Sequence, residues 1–511
     1  MNFPKEKLIE ISKSLYTHLK EQTAINPKHD YLITENWTLS YEEALKTVQG
    51  IASTFIKLGM KKGDLVALRT TRSADVALIT TALGAIGAVA VMTDAHFDIK
   101  TYIVNSGVDI HPDWWLTNEK AKGGISASGN WELIREGKAS MPFELFGHEI
   151  TLEKVEAASA SVDPEDAWLI LFTSGSTGKS KAVVLSHRAL ITDPVEIKDM
   201  FIEGPSDVAV QLLPLNHSFG FCVITCATYC GHGVVFPPVT DVDVVLKYIE
   251  KYHISCIYCV PTFFLGLISE GKHKNYDISS LRFGVMAGGP FTEQQLRFIE
   301  GELGMELMPG YGLSEYVSIS TMAYGDPVKL RAAGVGRPCE MTEVTILDEN
   351  GNELPVGVAG EICVRGKSMM TCYYNNEEDT RAVYDKNGKL HTGDLGYFDE
   401  DGILHISGRI KDLIVRAGEN LSSGQIEKAL LSVKGVYQAA VVAVKNETYG
   451  EVPGAVVILE KGCSLSVEEI KAQLKNLLSS HEIPESILIR ESFPLTSSGK
   501  TDKNKIKELF N

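Results

Sequence analysis

Short apolar segments typical of β-strands alternate with helical patterns over about the first 325 residues of the chain. This alternation predicts a core of mostly parallel strands covered by helices, because a crossover helix usually joins consecutive parallel strands. The strands are too many for one small sheet, so we expect stacked sheets. The strand-like segments lie near residues 65–69, 88–92, 168–172, 182–185, 208–213, 233–236, 255–260 and 282–286.

The pattern changes at about residue 334. Short β-like segments, separated by turns rich in Asp, Asn and Gly, continue to residue 408 and predict a small β-rich subdomain. An α+β segment follows. Because 511 residues exceed one ordinary core, we predict two domains. These are an N-terminal domain over residues 1–408, with its β-rich subdomain at about 334–408, and a C-terminal α+β domain over residues 409–511.

Composition argues against several classes of partner. The hydrophobic and charged contents, 44% and 23%, are typical of a globular protein in water. The net charge of −17 argues against a nucleic acid or an anionic membrane as partner. The N-terminus lacks the apolar core of a signal peptide, and the run from Val76 to Met92 predicts a buried helix, turn and strand. We therefore expect a cytoplasmic protein with no membrane span.

The nine cysteines are predicted to be small buried hydrophobic residues rather than metal ligands. Cys222, Cys226 and Cys230 have helical spacing. Cys256 and Cys259 form a C-x-x-C pattern on a predicted strand, where side chains three residues apart point to opposite faces.

The segment from Thr173 to Lys181 has the composition of a polyphosphate-binding loop. It contains two glycines, several hydroxyls and two lysines, and it lies between two apolar strand-like segments. Glycine lets backbone amides approach a phosphate, while hydroxyls and lysines add donors and charge. A Walker A loop is a weaker interpretation, because Thr173 stands where its first glycine belongs and a strand rather than a helix follows. A solvated Gly/Ser turn remains a third interpretation.

This loop resembles the phosphate loop of the adenylate-forming superfamily, which includes acyl-CoA synthetases, luciferases and peptide-synthetase adenylation domains. The chain departs from the family pattern at Ser180, where a proline is usual, and at Ala182, where a glycine is usual. The resemblance implies that ATP is bound by Thr173, Ser174, Gly175, Ser176, Thr177, Gly178 and Lys181, and that Thr177 also contributes to a Mg²⁺ site.

Further segments match the same family in the family's own order. Pro214–Gly220 resembles the segment that places a histidine, here His217, beside the acyl carboxylate. Ala287–Pro290 resembles the turn against adenine and the acyl chain, which implies roles for Gly288, Gly289 and Pro290. Gly310–Glu315 resembles the family's Tyr-Gly-x-Thr-Glu segment. That match implies that Tyr311 stacks on adenine, Ser314 meets the α-phosphate and Glu315 binds Mg²⁺, with Gly312 in the same cofactor-binding segment.

The remaining matches extend the implied site into the C-terminal part. Thr392–Asp394 resembles the ribose site, with Asp394 as acceptor. Gly408–Asp412 resembles the hinge segment, in which Arg409 reaches ribose or phosphate and Lys411 is the pivot of a mobile C-terminal domain. Arg416–Leu421 resembles the loop beside the pantetheine tunnel, with Gly418 next to CoA, and Pro494–Lys500 resembles the segment of the catalytic lysine. The resemblance thus implies catalytic roles for Lys500, His217, Thr173 and Glu315.

The family chemistry implies an acid-thiol ligase that forms acyl-AMP with release of pyrophosphate and then transfers the acyl group to CoA. No Asp, Glu, Lys or Arg occurs from Val208 to Thr240, where family members that activate amino acids usually carry an aspartate, so an amino acid is disfavoured as substrate. Phe219, Phe263, Phe264 and Gly288 suit an apolar acyl or aryl chain. No carrier domain follows Asn511, so we expect a diffusible acceptor, either CoA or the phosphopantetheine of a separate carrier protein. A non-catalytic nucleotide sensor would be expected to lack Glu315 or Lys500, and both are present. A luciferase-like oxygenase is compatible with the same fold, but no feature of the sequence supports it.

Overall fold

The computed structural model of the chain describes residues 4–70, 72–95, 97–118, 131–173, 180–494 and 501–510. Its centre is a nine-stranded sheet in which the inner strands are parallel. The spatial order is Arg337–Pro338, Ser320–Thr321, Glu306–Tyr311, Phe283–Met286, Cys256–Cys259, Val208–Val210, Gly233–Val235, Asp30–Ile33 and Thr38–Ser40.

A second, eight-stranded sheet has parallel strands at its centre and antiparallel strands at both edges. The spatial order is Cys372–Tyr373, Lys181–Ser186, Ala167–Thr173, Val89–Asp94, Leu65–Thr70, Trp114–Thr117, Trp131–Arg135 and Met141–Phe143.

Two helices with little polar surface lie inside the largest hydrophobic core. Every residue of Ala74–Ala85 is buried, and so are all but two of Ser218–Cys230. A helix that is apolar on all faces is stable only when it is covered on all faces, so these two helices lie between layers. The run from Val76 to Met92 is therefore a buried helix, turn and strand, as predicted.

A smaller antiparallel sheet has the strand order Thr342–Leu347, Gly360–Gly366, Leu390–Phe398 and Leu404–Arg409. It occupies the segment predicted to be β-rich. The C-terminal sheet has the order Glu419–Ser422, Leu413–Arg416, Gly450–Leu459 and Val436–Asn446, and Ser486–Ile489 pairs in parallel with Gly450–Leu459. The exact domain boundaries and the mobility of the C-terminal domain stay predictions.

The helices follow their sequence signals, with one correction. The pattern over residues 5–25 suggests one long helix, but the structure has two, because Ser14 caps a new helix by accepting a hydrogen bond from the Thr17 amide. The α-helices are Lys5–Glu10, Leu15–Ile25, Tyr41–Lys57, Ala74–Ala85, Ile99–Ser106, Leu152–Ser159, His187–Phe201, Ser218–Cys230, Val242–Tyr252, Pro261–Ile268, Glu293–Leu303, Val328–Arg331, Glu377–Ala382, Ser423–Leu431, Val467–Leu474 and Lys503–Glu508. Ser269–Asn275 and Ile410–Asp412 are 3₁₀-helical.

Candidate active site

The predicted phosphate loop connects two antiparallel neighbours in the eight-stranded sheet. Thr173 ends one strand and lies opposite Lys181, which begins the next, and its hydroxyl donates to the Lys181 carbonyl oxygen at 3.5 Å. A strand on both sides of the loop is inconsistent with a Walker A motif, which opens onto a helix. The other predicted phosphate ligands, Ser174, Gly175, Ser176, Thr177 and Gly178, lie outside the described residues.

Lys181 is linked to the predicted metal ligand through one tyrosine. Its ammonium group lies 4.6 Å from the centre of the Tyr373 ring and 3.3 Å from the Asp379 carboxylate. The Tyr373 hydroxyl donates to Glu315 Oε1 at 2.8 Å. Burial and the neighbouring Glu315 carboxylate raise the pKa of Tyr373, so its hydroxyl stays a donor at neutral pH. Neither Tyr373 nor Asp379 was predicted as a site residue from the sequence.

The turn that carries Glu315 depends on a glycine. A Cβ on Gly312 would lie 2.2 Å from the Val317 carbonyl oxygen, so only glycine fits there. The Glu315 carbonyl oxygen accepts from the Met370 amide at 2.8 Å. Glu315 is therefore held from both its backbone and its side chain, and it is half-buried together with Ser314.

Asp394 is the centre of a polar cluster that joins three parts of the chain. It is 3% exposed, and it accepts from the Tyr311 hydroxyl at 2.6 Å and from Arg409 Nε at 2.7 Å. Tyr311 ends a strand of the nine-stranded sheet, while Asp394 and Arg409 are opposite each other in the small β-sheet. Three predicted nucleotide-binding residues are thus in direct contact.

Charge stabilises this cluster. Burial and then the Asp394 carboxylate raise the pKa of Tyr311, which keeps its hydroxyl protonated as a donor. Burial is the largest single effect and disfavours the charged form of Arg409, but Asp394, Tyr311 and Asp412 together outweigh it, and the pKa of Arg409 is raised. The arginine is therefore always a cation in this setting. A carboxylate has about four acceptor positions, so two remain on Asp394 for a further donor.

The predicted acyl site begins at His217, which occupies the N-cap position of the helix Ser218–Cys230. The approach to that helix is tight, because a Cβ on Gly220 would lie 2.0 Å from the Pro214 carbonyl oxygen. His217 is half-buried, as is Phe219. Phe264, in contrast, is fully buried and packs in the core against the nine-stranded sheet. The prediction that Phe264 lines the site of the acyl chain is therefore corrected: it is a core residue.

The turn of Gly288, Gly289 and Pro290 follows the strand Phe283–Met286 and is exposed. Gly288 has a φ of +80°, a value that favours glycine. The Ala287 amide just before it donates to the Cys259 carbonyl oxygen at 3.3 Å. The turn therefore lies at the carboxyl edge of the parallel strands, as Tyr311 does, where open α/β sheets usually bind ligands.

Gly418 lies at the tip of a two-residue hairpin between Leu413–Arg416 and Glu419–Ser422. Ala417 and Gly418 both have positive φ values, +51° and +88°, as in a type I′ turn. Apart from the two chain neighbours of Gly418, no atom of the described residues lies within 4 Å of the position that a Gly418 Cβ would occupy, so the tip is open on that side. Lys411 is exposed in the 3₁₀ turn Ile410–Asp412, and Lys500 lies outside the described residues.

The cysteines are buried or half-buried free thiols. Cys222, Cys226 and Cys230 lie on one buried helix, and Cys256 and Cys259 lie on one buried strand. Among the described residues, neither set belongs to a group whose ligand atoms could share a metal ion.

Comparison with protein families gives two matches in chain order. The family model of AMP-binding enzymes matches residues 19–374. The model of the C-terminal domain of AMP-binding enzymes matches residues 425–500. The chain belongs to the AMP-binding enzyme family. The prediction of an adenylate-forming enzyme is confirmed.

Two of the relatives that match the chain are named as acyl-CoA ligases. The chain is 34% identical to the mitochondrial medium-chain acyl-CoA ligase ACSF2 of Danio rerio, over 67% of this chain and 58% of that protein. It is 28% identical to the acyl-CoA ligase sidI of Aspergillus fumigatus, over 93% of this chain and 86% of that protein. The ATP-bound crystal structure of MatB from Rhodopseudomonas palustris matches with a TM-score of 0.82 at 22% identity, covering 98% of this chain and 99% of that one.

The structural match confirms the predicted fold of a large α/β domain with stacked sheets and a smaller C-terminal domain. The family and its named relatives confirm the prediction of an enzyme most similar to AMP-forming acyl-CoA ligases. Within the described part of the chain, no helix is both long and apolar enough to cross a membrane.

Proposed function

We propose that this enzyme activates a carboxylic acid with ATP, forming acyl-AMP and pyrophosphate, and then transfers the acyl group to CoA. The observation that carries the proposal is the contact of Tyr311, Asp394 and Arg409 at one point of the structure. These residues come from separate segments that the family resemblance assigns to one nucleotide. The two family matches in chain order support the same two-step chemistry.

In this proposal the nucleoside binds between Tyr311 and the exposed turn of Gly288, Gly289 and Pro290. The Asp394 carboxylate is fixed by Tyr311 and Arg409, and its two free acceptor positions suit the two ribose hydroxyls. A preorganised carboxylate loses little freedom on binding, so this contact favours tight nucleotide binding. Arg409 supplies the positive charge that a chain of net charge −17 must place locally to hold a polyphosphate.

The donor set beside the phosphate loop fits Mg²⁺. This ion prefers oxygen ligands, usually one or two carboxylates together with phosphates and water. Glu315 Oε1 accepts a hydrogen bond from Tyr373, which orients the carboxylate and leaves Oε2 for the ion. Thr177 would add a hydroxyl ligand. When bound, the ion would neutralise phosphate charge as the acid's carboxylate approaches. The Tyr373 hydroxyl orients Glu315, and the Lys181 ammonium lies over the face of the Tyr373 ring.

Four residues are proposed to act on the reacting groups. Lys500 would lie between the carboxylate and the α-phosphate, where a fixed positive charge lowers the barrier between two anions. Thr173 and the loop that follows would hold the phosphates, and His217 would meet the acyl carboxylate. Glu315 would act through the metal ion.

The acid is proposed to carry an apolar acyl or aryl chain. The segment from Val208 to Thr240 contains no Asp, Glu, Lys or Arg. Phe219, within this segment, and Phe263, which follows it in the chain, are both half-buried. For the acceptor we propose CoA, since the named relatives are acyl-CoA ligases, with Gly418 at the hairpin tip beside the pantetheine arm. We further propose a cytoplasmic location, in which all three substrates are available.

Pyrophosphate release across a panel of carboxylic acids, with and without CoA, tests this function. We expect release with apolar acids, faster turnover with CoA, and acyl-CoA as the product detected by mass spectrometry. A carrier protein bearing phosphopantetheine serves as the alternative acceptor. Turnover with the carrier protein but not with CoA would replace the proposed acceptor, and no adenylation of any acid would refute the proposal.

The variant Asp394→Asn tests the observation that carries the proposal. It keeps the shape but removes the charge that pairs with Arg409, and we expect the KM for ATP to rise by about tenfold or more, since charged hydrogen bonds contribute about 1.5–3 kcal/mol. Asp348→Asn, in an exposed turn of the same β-rich region, is the matched control. Equal KM values in both variants would contradict the role of Asp394.

A further inference from the structure

Three potential metal ligands, none of them assigned to Mg²⁺, face one another in the small β-sheet. Glu361 and Cys363 are two apart on the strand Gly360–Gly366, so they share a face, and Cys363 lies directly opposite His391 on the neighbouring strand. His391 Nδ1 is 2.7 Å from Glu361 Oε2 and 3.5 Å from Cys363 Sγ. The three ligand atoms all lie within 4.8 Å of one another.

We propose that Glu361, Cys363 and His391 form a binding site for a thiophilic divalent cation such as Zn²⁺, and that the bound ion weakens ATP binding at Asp394. The second part rests on the function proposed above. Thiolate, imidazole and carboxylate are the ligands that zinc uses in proteins.

The measured separations suit tetrahedral zinc. With a Zn–S bond of about 2.3 Å and a Zn–N bond of about 2.0 Å, a tetrahedral angle places sulfur and nitrogen about 3.5 Å apart. This equals the distance between Cys363 Sγ and His391 Nδ1. In the same geometry, nitrogen and oxygen ligands would be about 3.3 Å apart. His391 Nδ1 and Glu361 Oε2 are 2.7 Å apart, so this separation must increase by roughly 0.6 Å when the ion binds.

The surroundings of the cluster favour a cation and give it access. The Asp385 carboxylate acts electrostatically on both Cys363 and His391, which adds a second acid to the site. The Lys389 ammonium is paired with Glu343 at 3.0 Å. Cys363 is buried, but the His391 and Glu361 side chains are 33% and 21% exposed, so an ion can enter from their side.

Binding requires the thiol to lose a proton. Burial raises the pKa of Cys363 to about 12, so the group is a neutral thiol without metal. On binding, the S–H bond breaks, the proton passes to solvent and the thiolate bonds to the cation, as occurs in zinc sites generally. In the metal-free protein His391 Nδ1 donates its proton in a hydrogen bond to Glu361 Oε2, so metal binding also requires Nδ1 to release this proton to solvent, and the neutral ring would then bind through Nδ1 with a proton on Nε2.

The cluster is linked to the nucleotide site through the Glu361 carboxylate. Its other oxygen, Oε1, accepts from the Gly393 amide at 3.1 Å, and Gly393 immediately precedes Asp394. The Thr392 hydroxyl donates to the Ile362 carbonyl oxygen at 2.7 Å and accepts from the Asp394 amide at 3.1 Å. Movement of Glu361 toward a metal would therefore disturb the turn that positions Asp394.

Cobalt binding to the metal-free, full-length chain tests the site directly, because thiolate bound to Co²⁺ gives a charge-transfer absorption band. We expect one equivalent of Co²⁺ to produce the band and one equivalent of Zn²⁺ to remove it. The variants Cys363→Ala and Cys363→Ser, the second preserving side-chain volume, should lose it. Cys372→Ser, at a half-buried cysteine outside the cluster, should keep it. No saturable band in the wild type, or a band retained without Cys363, would overturn the site.

Calorimetry with MgATP tests the coupling. The protein is loaded with Zn²⁺ and freed of excess by gel filtration before ATP is added. We expect an increase of up to about tenfold in the Kd for ATP, as for the loss of one hydrogen bond, and no change in Cys363→Ser. An unchanged Kd in the loaded wild type would overturn the coupling. If the zinc-free protein does not bind ATP, the proposed function is refuted. The existence of the metal site would then still be tested by the cobalt spectrum alone.

Discussion

Glu196 is a buried acid whose replacement should make the protein less sensitive to pH. It lies on the helix His187–Phe201, is 1% exposed and accepts a hydrogen bond from the Met341 amide through Oε1. Its Oε2 has no partner among the described residues. Burial is the main cause that raises the pKa of Glu196 from 4.5 to about 8, the Met341 amide acts in the opposite direction, and the nearby Asp193 adds to the rise.

This shift determines how stability depends on pH. Above pH 4.5 the unfolded chain releases this proton while the folded protein retains it, so stability falls as the pH rises toward the folded-state pKa. At about 1.4 kcal/mol per pKa unit, the loss between pH 5 and pH 8 is about 3 kcal/mol. Glu196→Gln keeps an acceptor for Met341 and does not titrate. The difference in unfolding free energy between the variant and the wild type should therefore shift by about 3 kcal/mol in favour of the variant as the pH rises from 5 to 8. Any effect of the new amide that does not depend on pH cancels in this comparison.

Urea unfolding followed by tryptophan fluorescence measures this difference. All five tryptophans lie at or before residue 168, so the signal reports on the domain that contains Glu196. Asp199→Asn, at an exposed carboxylate on the same helix, is the matched control and should follow the wild-type pH profile. Parallel profiles for Glu196→Gln and the wild type would show that the buried carboxyl does not hold its proton at neutral pH.

Three substitutions test the proposed catalytic roles. Lys500→Ala should lower pyrophosphate release by about 10²–10³-fold, and activity within a few-fold of the wild type would refute the role of the lysine. Glu315→Gln should reduce ATP turnover strongly, with partial recovery at high Mg²⁺, whereas an unchanged Mg²⁺ dependence would exclude Glu315 as a metal ligand. Gly418→Leu should spare acyl-AMP formation and block CoA transfer. Gly418→Ala carries the same backbone strain at a φ of +88° with little bulk, so equal losses in both variants would mean that strain, not obstruction of the thiol, is the cause.

The strands and the polar turns were predictable because their signals are local. The apolar runs near 168–172 and 182–185 correspond to the strands Ala167–Thr173 and Lys181–Ser186. The motif at Ser466–Glu469 forms a capping box, with Ser466 and Glu469 bonded to each other's backbone amides. The helical periodicity over residues 5–25 predicted one helix, but the cap at Ser14 starts a second helix within this range.

The contacts of the candidate site were not predictable in this way. Tyr373 and Glu315 are 58 residues apart, and Lys181 reaches Tyr373 only because the strand Cys372–Tyr373 joins the edge of the eight-stranded sheet beside Lys181–Ser186. Nothing in the residue types around Tyr373 indicates such a pairing. Phe264 illustrates the opposite error, since an aromatic residue next to a predicted site can belong to the core.

The cluster at Asp394 explains why residues that were predicted one at a time should function together. Tyr311 comes from the nine-stranded sheet and Asp394 from the small sheet, while Arg409 directly precedes the 3₁₀ turn that contains the proposed pivot, Lys411. If the C-terminal domain rotates about that turn as proposed, the movement would act directly on Arg409 and on its bond to Asp394. Because Asp394 also accepts from Tyr311, such a rotation would change the geometry of the nucleotide site through one buried carboxylate.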